Sequence, residues 1–124
     1  MEASAQHWFK QVDGDLKTAQ VLFQARRYQY AVFFCHLALE KFLKGCVAER
    51  TGATPPRSHD LVRLAELANL APKLEHGAFL EELNRHALEA RYPVGRVRFT
   101  RALAGDCLSR SEKALTWLQR NTKS

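Results

Sequence analysis

The chain has 124 residues, 46% of them hydrophobic and 26% charged, with only six glycines and four prolines. That composition excludes a disordered chain, and the length suits one domain with one core, expected to span residues 1–124. The formal net charge of +6 and the pI of about 9.6 suit contact with nucleic acid, nucleotide phosphate or an acidic partner, or a solubilising surface charge. Glu2 stands early and no apolar core with a cleavage site follows, so no signal peptide is expected. The longest apolar run, Ala31 to Leu39, is broken by His36 and falls far short of the ~20 residues that cross a bilayer. A soluble cytoplasmic protein is expected.

A first helix is predicted from Ser4 or Ala5 to about Gln24. Trp8, Val12, Leu16, Ala19 and Phe23 form one apolar stripe, and Lys10, Asp13, Asp15, Lys17 and Gln20 lie off it. A short hinge, Ala25-Arg26-Arg27, makes the next helix its antiparallel neighbour. That second helix, Tyr28 to about Glu49 or Arg50, is apolar on nearly every side, which places it at the centre of a bundle. Thr51 to Arg57 reads as a loop, because Gly52 favours termination and Pro55-Pro56 forbids continuation. A third helix is expected with Ser58 as its N-cap and Asp60 in its first turn, carrying Leu61, Leu64, Ala65 and Ala68 inward and stopping around Leu70 to Pro72. After a connection through Glu75-His76-Gly77, a fourth helix turns Phe79, Leu80, Leu83, Ala87 and Ala90 inward and ends at Arg91-Tyr92, before Pro93. The connector 93–99 leads to an N-cap at Thr100 and a last helix reaching about Asn121. Its stripe is Leu103 or Ala104, Cys107, Leu108, Ser111, Ala114, Leu115 and Leu118. The expected fold is an all-α antiparallel up-and-down bundle of four main helices and one shorter one.

Three cysteines, Cys35, Cys46 and Cys107, with no CxxC, argue against a disulfide framework. Cys35 and Cys46 lie three helical turns apart, roughly 16 Å, too far to share a metal. No HExxH, GxGxxG, GxxxxGK[ST] or GxSxG is present, so no metal, cofactor or enzyme motif is supported.

Two features carry candidate chemistry. On the central helix, His36, Glu40 and Lys44 stand at i, i+4 and i+8, with Lys41 beside them. This strip is either the one solvated or pair-satisfied line of a buried helix, or it lines a cleft or dimer seam and offers Lys41 and Lys44 to phosphate. Further on, Arg85, Arg91, Arg96, Arg98 and Arg101 face a single acid, Glu89, so +4 of the net +6 lies in this window. Arg91, Arg96, Arg98 and Arg101, with Tyr92 and Phe99 near them, are candidates for phosphate contact and base stacking, the alternative being that they tie the connector to helix ends. Arg96 and Arg98 straddle Val97 and would point the same way in an extended connector. His59, beside Ser58 and Asp60, is a capping or surface histidine or, with His36, a candidate acid–base group.

The order of Trp8, Asp15-Leu16 and Ala19, then Tyr30-Ala31, Cys35-His36, Ala38 and Glu40-Lys41-x-Leu43-Lys44, resembles the HEPN domain. The likeness continues through Pro56, His59-Asp60-Leu61, Leu64 and Ala90-Arg91-Tyr92-Pro93, and spans about Trp8 to Leu118. The resemblance implies a small helical bundle, a homodimer, and a minimal nucleotidyltransferase as partner, in some cases as a toxin–antitoxin pair. Other members bind nucleotides or are metal-independent ribonucleases. The ribonucleases carry Arg, four to six residues, then His, and no histidine of this chain has an arginine at that spacing. The implied function is a nucleotide- or RNA-binding dimeric partner of a nucleotidyltransferase. The alternative is a divergent ribonuclease in which His59 or His36 works with an arginine from another helix.

Overall fold

In a computed structural model, which describes residues 3–92 and 98–122, the chain forms five helices in the order α1 (Ala3–Gln24), α2 (Tyr28–Thr51), α3 (Leu61–Leu67), α4 (Leu74–Arg91) and α5 (Arg101–Asn121). Four are long and one, α3, is short, as expected, though its seven residues are fewer than the apolar spacing predicts. Contacts fix the directions. Phe9 of α1 meets Phe42 of α2 while Phe23 meets Tyr28, so these helices run antiparallel. His36 meets Asn84 and Gln29 meets Ala90, so α4 runs antiparallel to α2. Gln20 of α1 reaches Glu112 of α5, and Arg101 at the start of α5 lies over Phe23 near the end of α1. The result is an up-down-up-down bundle with α3 packed on α2 and α4.

α2 touches each of the other four helices. Ala31, Val32, Cys35, Ala38, Leu39 and Leu43 are fully buried, so the excess of apolar faces is core. Each buried Leu or Val contributes about 1.5–3 kcal/mol by leaving water. The inward faces of α4 (Phe79, Leu80, Leu83, Ala87, Ala90) and α5 (Ala104, Cys107, Ser111, Ala114, Leu115, Leu118) lie where the periodicity puts them. The three cysteines are free and buried, and burial pushes each thiol up to about 12, which keeps them protonated and inert.

Helix ends depart from the sequence reading in three places. Asp60, not Ser58, is the N-cap of α3, because its carboxylate accepts from both the Val62 and Arg63 N–H groups. Ser58 instead accepts from the Asp60 N–H, forming the turn ahead of the cap. α3 stops at Leu67, earlier than expected, since Asn69 adopts a left-handed conformation (φ 59°) and Leu70 N–H closes onto the Ala65 carbonyl. α4 starts at Leu74, so Glu75, His76 and Gly77 are its first turn rather than a connection, with the Gly77 N–H donating to the Lys73 carbonyl. Gly77 looks like a breaker in sequence, but a first-turn glycine costs little, and Glu75 favours the positive helix end. Thr100 caps α5 as expected, its hydroxyl accepting from Leu103 N–H. Among the described residues no helix is long and apolar enough to cross a membrane.

Candidate functional site

The polar strip of α2 is buried and organised around Glu40. His36, Glu40 and Lys44 are 4%, 4% and 6% exposed. A carboxylate so buried must have partners. Glu40 Oε2 accepts from Lys44 Nζ at 3.1 Å, and Oε1 accepts from His59 Nδ1 at 2.9 Å, with His36 Nδ1 3.8 Å away. Lys44 Nζ also lies 5.4 Å from the Trp8 ring centroid, so α1 closes over the pair. Because Nδ1 of His59 donates to Glu40, its Nε2 is left for another partner. The His59 side chain is largely exposed.

Asn84 of α4 completes the frame. Its Oδ1 accepts from the Leu61 N–H at 3.1 Å, which orients the amide, and its Nδ2 donates to Asp60 Oδ1 at 2.9 Å. His36 Nε2, 3.1 Å from the same Oδ1, is therefore a donor. Burial holds His36 below the ordinary histidine range. The positive charge of Arg91 acts in the same direction, against the Asn84 hydrogen bond and Glu40, so the ring stays neutral at pH 7.

These groups bound a cavity of about 420 Å³, lined by His36, His59, Asp60, Asn84, Arg91 and Tyr92 with the apolar side chains of Ala87 and Leu88. The size and the mix of apolar wall with a few convergent polar groups suit a small-molecule site. Arg91 enters from the last turn of α4, its guanidinium carbon 5.1 Å from the Phe33 centroid, and Tyr92 caps that helix.

The residues singled out from sequence divide among several places. His36, His59, Arg91 and Tyr92 come together on the cavity. Lys44 is held beneath it by Glu40. Lys41 points to α1, where Asp15 (2.8 Å) and Gln11 (2.6 Å) hold its ammonium. Arg98 and Arg101 stand at the start of α5, Arg101 over the Phe23 ring at 4.9 Å. Arg96, with the expected alignment of Arg96 and Arg98, lies outside the described residues. Asn84 is a site residue the sequence reading missed. Its signal is positional: a poor helix former on the inward face, four residues after Leu80 and three before Ala87. Among the described residues no cluster of three His, Cys, Asp or Glu is placed to hold a metal.

An all-α up-and-down bundle whose central helix carries a buried His–Glu–Lys strip, with His36 on the wall of a cavity that the end of α4 helps to line, is the class that fold and site define. The HEPN domain family matches this sequence over residues 5–121, and the chain belongs to that family. Two solved structures share the fold. TT1696 from Thermus thermophilus is 24% identical with a TM-score of 0.79, covering 94% of this chain and 96% of its own. ST0689, an archaeal HEPN homologue, is 24% identical with a TM-score of 0.74, covering 96% of this chain and 98% of its own. Comparison with curated protein sequences gives no match.

Proposed function

We propose that this HEPN protein binds a nucleotide or RNA in the His36–His59–Arg91 cavity, as the dimeric partner of a minimal nucleotidyltransferase in a toxin–antitoxin-type pair. The observation that carries the reading is the convergence on one cavity of a guanidinium (Arg91), an outward imidazole (His59), an amide (Asn84) and an exposed aromatic (Tyr92). Arg91 and His59 suit a phosphate, and Tyr92 with the Leu88 wall suits a base. Leu88 and Tyr92 are 62% and 61% exposed, an apolar lip beside the cavity that supports a seam between two copies. Titration with a nucleoside monophosphate and with a short RNA tests the ligand, sedimentation tests the dimer, and co-purification with a nucleotidyltransferase encoded beside it tests the partner.

The divergent-ribonuclease reading draws on the 2.9 Å Glu40–His59 contact. Glu40 orients the ring so that Nε2 takes the proton of a ribose 2′-hydroxyl as its oxygen attacks the neighbouring phosphorus. Arg91 balances the phosphoryl charge, and the departing 5′-oxygen is protonated by water. Cleavage of total RNA in the presence of chelator, abolished in His59→Ala, is the outcome that favours this alternative.

A further inference from the structure

We propose that the cleft where the α1–α2 hinge meets the start of α5 is a second phosphate subsite, carrying the backbone of a single-stranded nucleic acid onward from the His36–His59–Arg91 cavity. The proposal rests on the reading that the cavity holds a phosphate.

The cleft, about 360 Å³, is lined by Arg26, Arg27, Gln29, Tyr30, Arg98 and Phe99, with no acidic residue on its wall among the described residues. Its arginines come from two segments remote in sequence: the hinge contributes two and the approach to α5 the third. Among the described residues none of the three is in an ion pair, although ion pairs occupy Arg63 and Arg110 elsewhere on the surface. Arg27 lies 5.9 Å from the Tyr30 centroid, and that ring is half exposed. Interleaved guanidinium and phenol groups suit a phosphodiester chain with stacked bases.

The backbone adds an independent observation. α1 ends with Arg26 in the left-handed region (φ 64°), Arg26 N–H donating to the Phe23 carbonyl and Arg27 N–H to the Leu22 carbonyl. Two other helices end on a left-handed residue, and there the residues are Gly52 and Asn69, which tolerate it. Among the described residues, only at the cleft does a bulky cation occupy such a position, against its backbone preference.

One hydrogen bond ties the wall of the cleft to the end of α4. Gln29, on the cleft wall, donates through Nε2 to the Ala90 carbonyl at 2.7 Å, and the next residue, Arg91, lines the cavity. This tie to the helix that carries Arg91, the concave shape and the aromatic rings favour a nucleic-acid strand over an acidic protein surface.

The test compares AMP with a labelled 12-nucleotide oligoadenylate RNA, binding the full chain and its Arg26→Ala/Arg27→Ala/Arg98→Ala variant, with circular dichroism to verify folding. The variant is expected to keep AMP affinity within about twofold and lose about tenfold or more for the 12-mer. Its slope of log affinity against log salt should shrink by about 2, from ~0.7 for each single-strand phosphate contact removed. Arg26→Gly alone is expected to weaken the 12-mer while raising the thermal midpoint, because glycine accepts the turn. Unchanged 12-mer affinity and salt slope in the triple variant overturn the subsite. Displacement of the 12-mer by poly-glutamate at equal charge overturns it in favour of an acidic protein partner. A wild-type chain that binds the 12-mer through these arginines but takes no AMP overturns the cavity reading, and the onward path with it.

Discussion

Glu40 is one carboxylate serving Lys44 and His59, with neutral His36 3.8 Å away beside the cavity. Removing one member of a buried ion pair leaves an uncompensated charge, so Lys44→Met alone is expected to cost about 3–5 kcal/mol in urea denaturation. Lys44→Met with Glu40→Gln should recover much of that, because neither charge is then stranded, although His59 loses its anchor. His36 makes a second prediction. Burial lowers its pKa in the folded chain below the 6.5 of the free side chain, so the unfolded chain takes up the proton first as pH falls. The stability contributed by neutral His36 is full above about pH 6.5 and is lost as pH falls from there towards the lower folded value. The thermal midpoint should therefore drop more between pH 7 and pH 5 in the wild type than in His36→Gln, and equal drops would refute the assignment. The strip itself was legible as i, i+4, i+8 spacing. Its partners were not, because His59 and Asn84 come from the approach to α3 and from α4, and no local pattern announces which side chains meet the strip across a bundle.

Periodicity located the helices and their inward faces because apolar burial dominates the energetics of each element. Leu83 and Leu118, for instance, were placed by spacing alone and are buried. Ends were less legible, since Ser58 and Asp60 offer equally plausible caps and only the double acceptance by Asp60 decides between them. The hinge made α1 and α2 antiparallel neighbours, but how closely they pack at Gly45 was not legible. Phe9 lies against Gly45, where an added Cβ would fall inside the van der Waals envelope of its ring. Gly45→Ala must push Phe9 off Phe42 and is expected to cost about 1–3 kcal/mol. Gly105→Ala is the contrast. Its Cβ would meet Phe23 at an ordinary 3.5 Å, and the helix gains up to ~1 kcal/mol from losing a glycine. Thermal melts should move in opposite directions, and a stabilising Gly45→Ala would contradict the packing described here.

For the whole molecule, the bundle gathers basic groups at one end. α2 begins there, α4 ends there with Arg91, and α5 begins there after Arg98. The charge window was visible in sequence, but its division was not. The fold holds Lys41 and Lys44 on carboxylates, sets Arg91 on the cavity and brings Arg26 and Arg27 of the hinge to Arg98. This arrangement follows from antiparallel packing, which makes neighbours of residues some seventy positions apart in the chain. The central claim is that the cavity on α2 and α4 binds phosphate-bearing ligands through Arg91 and His59. Calorimetric titration of AMP into the wild type, Arg91→Ala, His59→Ala and the surface control Arg63→Ala tests it most directly. Saturable binding is expected in the wild type and the control, weakened about tenfold or more by each cavity substitution. Affinity that is the same in all four proteins, or no binding of AMP or RNA by the wild type, would contradict it.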